Sequence, residues 1–409
     1  MERAGHHVTC VDLAVERFSE AVVRDAEVVA FYLPMHTATR LAVPVIARVK
    51  TVNPAARLCC FGLYAPLNDR YLRSLGVDVV IGGEFESLIT ALPDSGGSFV
   101  PMERLQFITP NRSGLPPLAK YAHLHVNGEI KTAGYTETTR GCKHLCRHCP
   151  VVPVYNGTFR VVQHDVVLED IRQQVESGAT HITFGDPDFF NGPTHAVRIV
   201  EDFHREFPVL TYDVTIKVEH LLSHRELLAT LARTGCLFVT SAVESLDDEV
   251  LAKLDKGHTR TDFIEAVGLL RAAGLTLAPT FIAFTPWTTR ASYKDLLATL
   301  ARLDLIENVT PIQLALRLLI PAGSRMLELD DVQALIEGFD EEALLFRWKH
   351  PDPEMDKLAE QAMRIAGKRA PRDKVFRKLW ALVSDEPLYE NTALLPRAAI
   401  PYLDEPWYC

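Results

Sequence analysis

Three of the chain's eight cysteines, Cys142, Cys146 and Cys149, fall within eight residues at Cys-x3-Cys-x2-Cys spacing. No other stretch constrains the chain as strongly. Three soft thiolates on one loop can wrap a single inorganic cluster, each sulfur ligating a different iron. A four-iron cluster held this way keeps one iron without a protein ligand, whereas an electron-transfer ferredoxin supplies each cluster with a fourth cysteine. No fourth cysteine is near. Two other chemistries are compatible with the spacing. One is a zinc site of the three cysteines with His144 or His148; the other is a thioredoxin-like redox pair on Cys146 and Cys149.

The chain has 409 residues, enough for two to three domains at roughly 150 residues each. Hydrophobic residues make up 47% and charged residues 23%, the balance of a globular enzyme. No apolar run approaches the ~20 residues of a membrane span. The opening Met1-Glu2-Arg3-Ala4-Gly5-His6-His7 is no signal segment, so the thiols are expected in a reducing cytoplasm, without structural disulfides. The net charge of −10 opposes binding to phosphate backbones. The expectation is a cytoplasmic protein with no nucleic-acid and no membrane partner.

In residues 1–94, β-branched runs at 7–11, 28–32, 58–63 and 77–81 alternate with helical patterns at 38–52 and 68–75. That alternation predicts a parallel, doubly wound, Rossmann-like sheet. Glu2-Arg3-Ala4-Gly5 reads as a helix tail with its C-cap, so the domain's first strand is expected to be missing. Cys10, Cys59 and Cys60 read as small buried hydrophobes in strands. His36 follows the second strand, where an open α/β sheet binds ligands, although an N-cap by Thr37 accounts for the position equally well. Residues 95–131 lose the alternation and hold Pro101, Pro110, Pro116 and Pro117, which suggests a linker.

From 132 to 325 strand patterns recur at 135–138, 181–184, 212–217, 237–243, 277–284 and 312–319, with helices between them. Six such units predict an α/β partial (β/α)6 barrel with its site at the strand C-terminal ends, and the cysteine loop follows the first strand. Gln313 and Arg317 share one face of the last strand. An arginine there suits a carboxylate or phosphate substrate, and a buried salt bridge explains Arg317 about as well. Residues 326–409 form a C-terminal extension whose basic run at 368–378 reads as a solvated helix face.

A barrel-like series opening on Gly141-Cys142-x3-Cys146-x2-Cys149 resembles the radical S-adenosylmethionine superfamily. The resemblance implies a partial β/α barrel and a [4Fe-4S] cluster on Cys142, Cys146 and Cys149. It implies S-adenosylmethionine on the open iron, reductive cleavage to a 5′-deoxyadenosyl radical, and a cellular one-electron reductant as partner. His148 lies inside the motif. Phe184-Gly185-Asp186-Pro187-Asp188 ends the second strand, where the family has a Gly-Gly-Glu-like turn contacting the methionyl amine; one glycine and the acidic residue differ here. Asp213 to Glu219 is similar to the family's fourth strand, which implies Lys217 as carboxylate partner with Glu219 beside it. Ser241-Ala242-Val243-Glu244-Ser245, followed by Lys256-Gly257-His258-Thr259, is similar to the fifth-strand pattern of members with a cobalamin-binding-type front domain.

The front residues resemble that cobalamin-binding fold, with Gly82-Gly83-Glu84-Phe85-Glu86 at its last strand-to-helix turn. The Asp-x-His-x-x-Gly motif that supplies cobalt's lower ligand is absent; Asp202-Phe203-His204 lies in the barrel and lacks the glycine. Bound cobalamin is therefore possible without a histidine ligand, beside a vestigial scaffold. Over nearly the whole chain the sequence resembles radical SAM (seleno)proteins with Cys-Sec-Ala-Glu-Pro or Cys-Cys-Ala-Glu-Pro tails, in His148 to Tyr155, Thr183 to Phe190 and Thr285 to Thr289. That implies a redox tail at Cys409 whose native end extends by Sec/Cys-Ala-Glu-Pro. The function expected is a radical enzyme on a small-molecule or peptide substrate. The alternatives are a cobalamin-dependent methyltransferase and a non-catalytic binding module stabilised by metal or cluster.

Overall fold

The computed structural model describes residues 1–368, 370–388 and 401–404. Four parallel strands build a front sheet: β1 (Val28–Tyr32), β2 (Arg57–Phe61), β3 (Val79–Ile81) and β4 (Gly97–Phe99), in spatial order β1-β2-β3-β4. A parallel sheet covered on both faces needs continuous apolar runs, and β2 and β3 supply them. Leu58, Cys59, Cys60, Val79, Val80 and Ile81 are all sealed from solvent. Helix His36–Val52 packs Ile46 and Val49 against this core.

Two expectations change here. Residues 7–11 form no strand and Cys10 is exposed, because β1 is the edge of the sheet and no described strand pairs with its outer side. The stretch 95–131, expected as a linker, contains β4 and β5 (His123–Val126), each hydrogen-bonded into a sheet.

The larger sheet runs β12-β11-β10-β9-β6-β5-β15. Its five parallel strands are β6 (Glu129–Thr136), β9 (His181–Phe184), β10 (Thr211–Thr215), β11 (Cys236–Glu244) and β12 (Thr276–Phe281). Helices such as His164–Glu176, Pro193–Glu206 and Arg260–Ala272 connect them, giving a curled half barrel. Antiparallel β5 and β15 (Tyr402–Asp404) extend one edge. Two short hairpins complete the set: β7 (Thr139–Gly141) with β8 (Phe159–Val161), and β13 (Ile336–Asp340) with β14 (Leu345–Trp348).

The expected sixth strand is reduced to a single parallel bridge between Phe284 and Arg317. Pro311, which has no N–H to give a ladder, instead opens the 3-10 turn Pro311–Leu314. Between sheet and helices the core is aromatic: Phe184, Phe203 and Tyr212 meet edge to face, Tyr212 lying 5.5 Å from Phe184 and 5.8 Å from Phe203. Among the described residues no helix is long and apolar enough to cross a membrane.

The front sheet sits directly on the segment after the cysteine loop. Leu63 and Leu67 share one apolar cluster with Val151, Val154, Tyr155, Cys142 and Cys149. The fully buried Glu84 accepts a hydrogen bond from the Tyr155 hydroxyl at 3.1 Å. Arg140 pairs with Glu86 and Glu137 and stacks over Phe85 and Phe107 at 5.3 and 4.7 Å.

Candidate active site

The cysteine loop is anchored from below by Asp186, the second residue after β9. Its carboxylate accepts hydrogen bonds from the Thr138 N–H at 2.9 Å and from the Thr138 and Thr139 hydroxyls at 2.6 Å each. Burial pushes the Asp186 carboxyl up, the threonine hydrogen bonds pull it back, and it settles at about 6. At Gly141 the chain turns with φ +77°. A Cβ there would lie 2.4 Å from the Tyr155 ring and 2.6 Å from the Thr158 carbonyl, so only glycine fits. Asn191 then clasps the loop, donating to the Gly141 carbonyl at 3.1 Å and accepting from the Lys143 N–H at 3.2 Å.

Cys142, Cys146 and Cys149 are free thiols, Cys146 buried and the others half-buried. Burial is the main cause that pushes Cys142 up to about 12 and Cys149 up to about 11. Neutral thiols against an apolar wall become thiolates when a metal supplies the opposing charge. The donor set therefore fits a cluster: three unbridged sulfurs on one loop, shielded by Val151, Val154, Leu63 and Leu67.

Charged groups from the ends of β10 and β11 face this loop. Lys217 caps helix Val218–Ser223, and its ammonium lies 3.1 Å from Glu219. β11 ends at a register shift that throws Glu244 into the left-handed region, φ +70°. Burial would push the Glu244 carboxyl up, but Lys256 at 3.5 Å and His148 at 3.2 Å hold it ionised, at about 2. The Lys256-Gly257-His258 turn closes over both lysines; a Cβ on Gly257 would meet Glu219 at 2.7 Å and the Lys217 ammonium at 3.5 Å. His258 is 6% exposed, and its ring lies against the Val243 backbone without a well-aligned hydrogen bond. A buried imidazole beside two lysines, without a well-aligned hydrogen bond of its own, fits a polar cofactor group.

A second constellation adjoins the first through Glu219, whose Oε2 is 3.6 Å from His144 Nδ1. Asp188, two residues beyond Asp186, is 2.6 Å from His220 Nδ1, and His220 Nε2 is 3.2 Å from His144 Nε2. Burial would push the Asp188 carboxyl up, but the two histidines hold it at about 2.

The structure thus brings Cys142, Cys146, Cys149, His148, Lys217, Glu219 and Glu244 to one mouth of the half barrel. Gly185 and Asp186 lie at its base, where Tyr135 covers Gly185 so closely that a Cβ would overlap its hydroxyl. The Ser245 hydroxyl accepts from the Asp247 N–H at 3.1 Å and serves the turn into the next helix. β10 and β11 are the third and fourth parallel strands counted from β6, in the order the sequence patterns predict. Gln313 and Arg317 are engaged elsewhere. The Gln313 side-chain oxygen accepts from the Phe281 N–H at 3.1 Å, and Arg317 pairs with Asp356 at 2.6 Å over the Trp348 ring. Cys409 lies outside the described residues.

Sequence reasoning did not assign Asp188, His220, Lys256 and His258 as site groups. Asp188 lay in the Phe184 to Asp188 turn and Lys256 and His258 in the fifth-strand pattern, whereas His220 carried no signal beyond its place three residues after Lys217.

Residues 136–300 match the family model described as Radical SAM superfamily. Among curated proteins, the hopanoid C-3 methylase of Methylococcus capsulatus is 28% identical over 170 residues, 42% of this chain and 32% of that protein. The tRNA-2-methylthio-N(6)-dimethylallyladenosine synthase of Chlorobium luteolum is 24% identical over 232 residues, 53% of this chain and 48% of that protein. The chain thus spans half or less of the length of these relatives. Among solved structures, TsrM from Kitasatospora setae with tryptophan and a SAM analogue superposes with a TM-score of 0.61 at 15% identity, covering 76% of this chain and 67% of that one. The cobalamin-dependent S-adenosylmethionine radical enzyme OxsB superposes with a TM-score of 0.62 at 15% identity, covering 87% of this chain and 62% of that one. The chain therefore carries a radical SAM superfamily domain, an enzyme domain whose cofactors are a [4Fe-4S] cluster and S-adenosylmethionine.

Proposed function

We propose that the chain cleaves S-adenosylmethionine reductively and directs the product radical at an organic substrate, a small molecule or peptide. The observation that carries this reading is the three-cysteine loop at the mouth of a half barrel, faced by Lys217, Glu219, Glu244, Lys256 and His258. Cys142, Cys146 and Cys149 would hold the cluster, which would supply the one electron needed for reductive cleavage of S-adenosylmethionine to methionine and a 5′-deoxyadenosyl radical. The protein's own residues position and shield. The Lys217 ammonium holds a carboxylate in place of Glu219, and the buried His258 ring takes a polar group of the cofactor. Glu244, pinned by Lys256 and His148, fixes the wall beside Cys149. Leu63 and Leu67 keep water from the loop, limiting quenching of a radical. A cellular one-electron reductant is the required partner. The resemblance to the Cys-Sec/Cys-Ala-Glu-Pro group of radical SAM proteins supplies the narrower family of this reading.

A second reading, cobalamin-dependent methyl transfer, draws on the fold shared with TsrM and OxsB over both sheets. A corrinoid here would bind without a protein imidazole below cobalt: His36, at the end of β1, spends its Nε2 on the Ala343 carbonyl at 2.7 Å. Anaerobic reconstitution with reductant and S-adenosylmethionine should give 5′-deoxyadenosine and methionine, and Cys146→Ala should give neither. Equal product from Cys146→Ala would end the proposal. Retention of hydroxocobalamin at one per chain through desalting favours the second reading, and its loss there removes it.

A further inference from the structure

We infer that the outward tip of the cysteine loop, Lys143 to Leu145, is the docking face of an acidic one-electron carrier protein. The inference rests on the cluster reading and adds where its electron enters. Among residues 141–155, Lys143 and Leu145 are exposed and every other residue is buried or half-buried. Leu145 is 40% exposed although it is apolar, and it is bonded directly to Cys146. The tip therefore brings solvent within one residue of a thiolate, and electron transfer between proteins falls off steeply with distance.

The other two approaches are taken. On the front side Val151, Val154 and Tyr155 are buried, and Leu63 and Leu67 pack in the same apolar cluster. On the barrel side stand Lys217, Glu219, Glu244, Lys256 and His258, where cofactor and substrate must come. Leu145 instead rests beside a surface turn: a Cβ on Gly157 would lie 3.2 Å from its Cδ2, and the flanking Asn156 and Thr158 are exposed. An apolar centre with a polar rim is the anatomy of a protein interface, and electron-transfer encounters are among the smallest of these.

Charge selects the partner. Between Gly141 and Phe159 the chain has no acidic residue, and its permanently charged side chains are Lys143 and Arg147. Arg325 reaches the tip, donating to the Leu145 carbonyl at 3.0 Å while paired with Glu328 at 3.1 Å. The Arg147 guanidinium donates to the Ala252 and Lys253 carbonyls, and the Lys253 ammonium pairs with Asp331 at 2.6 Å. Asp255 adds a third acid near Arg325. Four basic groups thus stand against three acidic ones, in a chain whose net charge is −10. The acids gather at Arg325 and Lys253, which leaves the loop itself as the positive part. A positive tip on an acidic chain steers an acidic partner toward the loop.

The test compares two electron sources for the reconstituted full-length chain: dithionite, and a flavodoxin kept reduced by its NADPH-dependent reductase, as an acidic one-electron carrier. The readout is the rate of 5′-deoxyadenosine formation. With reduced flavodoxin, Lys143→Glu should lower the rate about tenfold, Asn156→Asp should lower it too, and the parent's rate should fall as salt is raised. With dithionite both variants should match the parent, and Lys143→Arg should match it with either source. If Lys143→Glu fails to fold, Asn156→Asp, which alters charge and hardly shape, carries the test alone. Flavodoxin-driven rates unchanged in the variants overturn the docking face, as does a loss equally large with dithionite, which marks a structural role. A parent that dithionite drives and flavodoxin does not overturns it as well. Failure of the cluster reading is separate: the parent then forms no 5′-deoxyadenosine with either source, and the docking face falls with it.

Discussion

Glu244 concentrates the energetics of the mouth in one residue. A side chain at φ +70° costs about 1–2 kcal/mol of backbone strain. That strain persists because the carboxylate neutralises the Lys256 ammonium, itself almost wholly buried, and accepts from His148. Glu244→Gln leaves that ammonium without a counter-charge. Urea unfolding should show a loss of about 3 kcal/mol, partly restored in the double variant Glu244→Gln/Lys256→Met. His258 gives the mouth a pH dependence. Burial first, and then the neighbouring lysines, hold its imidazole at about 4, against an ordinary value of 6.5. The unfolded chain takes up a proton that the folded chain refuses across that window, so stability rises with pH from about 4 to 6.5 and falls on acidification. The loss is on the order of 3 kcal/mol. Unfolding midpoints of the cofactor-free chain between these pH values should fall on acidification, and His258→Gln should flatten that part of the profile. An unchanged profile in the variant would contradict the assignment. The cysteines and Glu244 were legible in the sequence because each sits in a short local pattern. Asp188 and His220 were not, because a pair 32 residues apart meets only through the ends of two strands.

Among the elements, the clasp between β9 and the β6–β7 turn sets the height of the cysteine loop. Asp186 ties the two together, and Gly141 redirects the chain where no Cβ can stand. Gly141→Ala must therefore push Tyr155 or the Thr158 carbonyl aside, at a cost of about 2 kcal/mol. We expect a lower thermal midpoint together with a lower iron content after reconstitution. A variant with full iron occupancy and an unchanged midpoint would show that the turn does not position the loop. β9 was readable to its ends, since His181 to Phe184 is a short run with β-branched and aromatic residues between Thr180 and Gly185. The sixth strand misled: residues 312–319 are apolar apart from Gln313 and Arg317, but Pro311 removes a ladder donor and Gln313 turns inward to cap β12. β4 was overlooked because three residues beginning with glycine carry no strand signal.

At the scale of the molecule, two sheets share one task. The alternation of strand and helix announced both units, yet their contact was invisible, because Glu84 and Tyr155, or Arg140 and Glu86, pair only once both units are folded. That contact puts Leu63 and Leu67 of the front domain in the same apolar wall as Cys142 and Cys149. Leu67→Asp should therefore speed loss of a reconstituted cluster in air while leaving its initial assembly intact, which the decay of its visible absorbance would report. The cluster on Cys142, Cys146 and Cys149 is tested most directly by iron and sulfide content after anaerobic reconstitution, read alongside the electron paramagnetic resonance of the reduced protein before and after S-adenosylmethionine. About four irons and four sulfides per chain, a signal that shifts when S-adenosylmethionine is added, and loss of both in Cys142→Ala, Cys146→Ala and Cys149→Ala are the predicted results. One zinc per chain without sulfide, or iron content unchanged in the three variants, would contradict it.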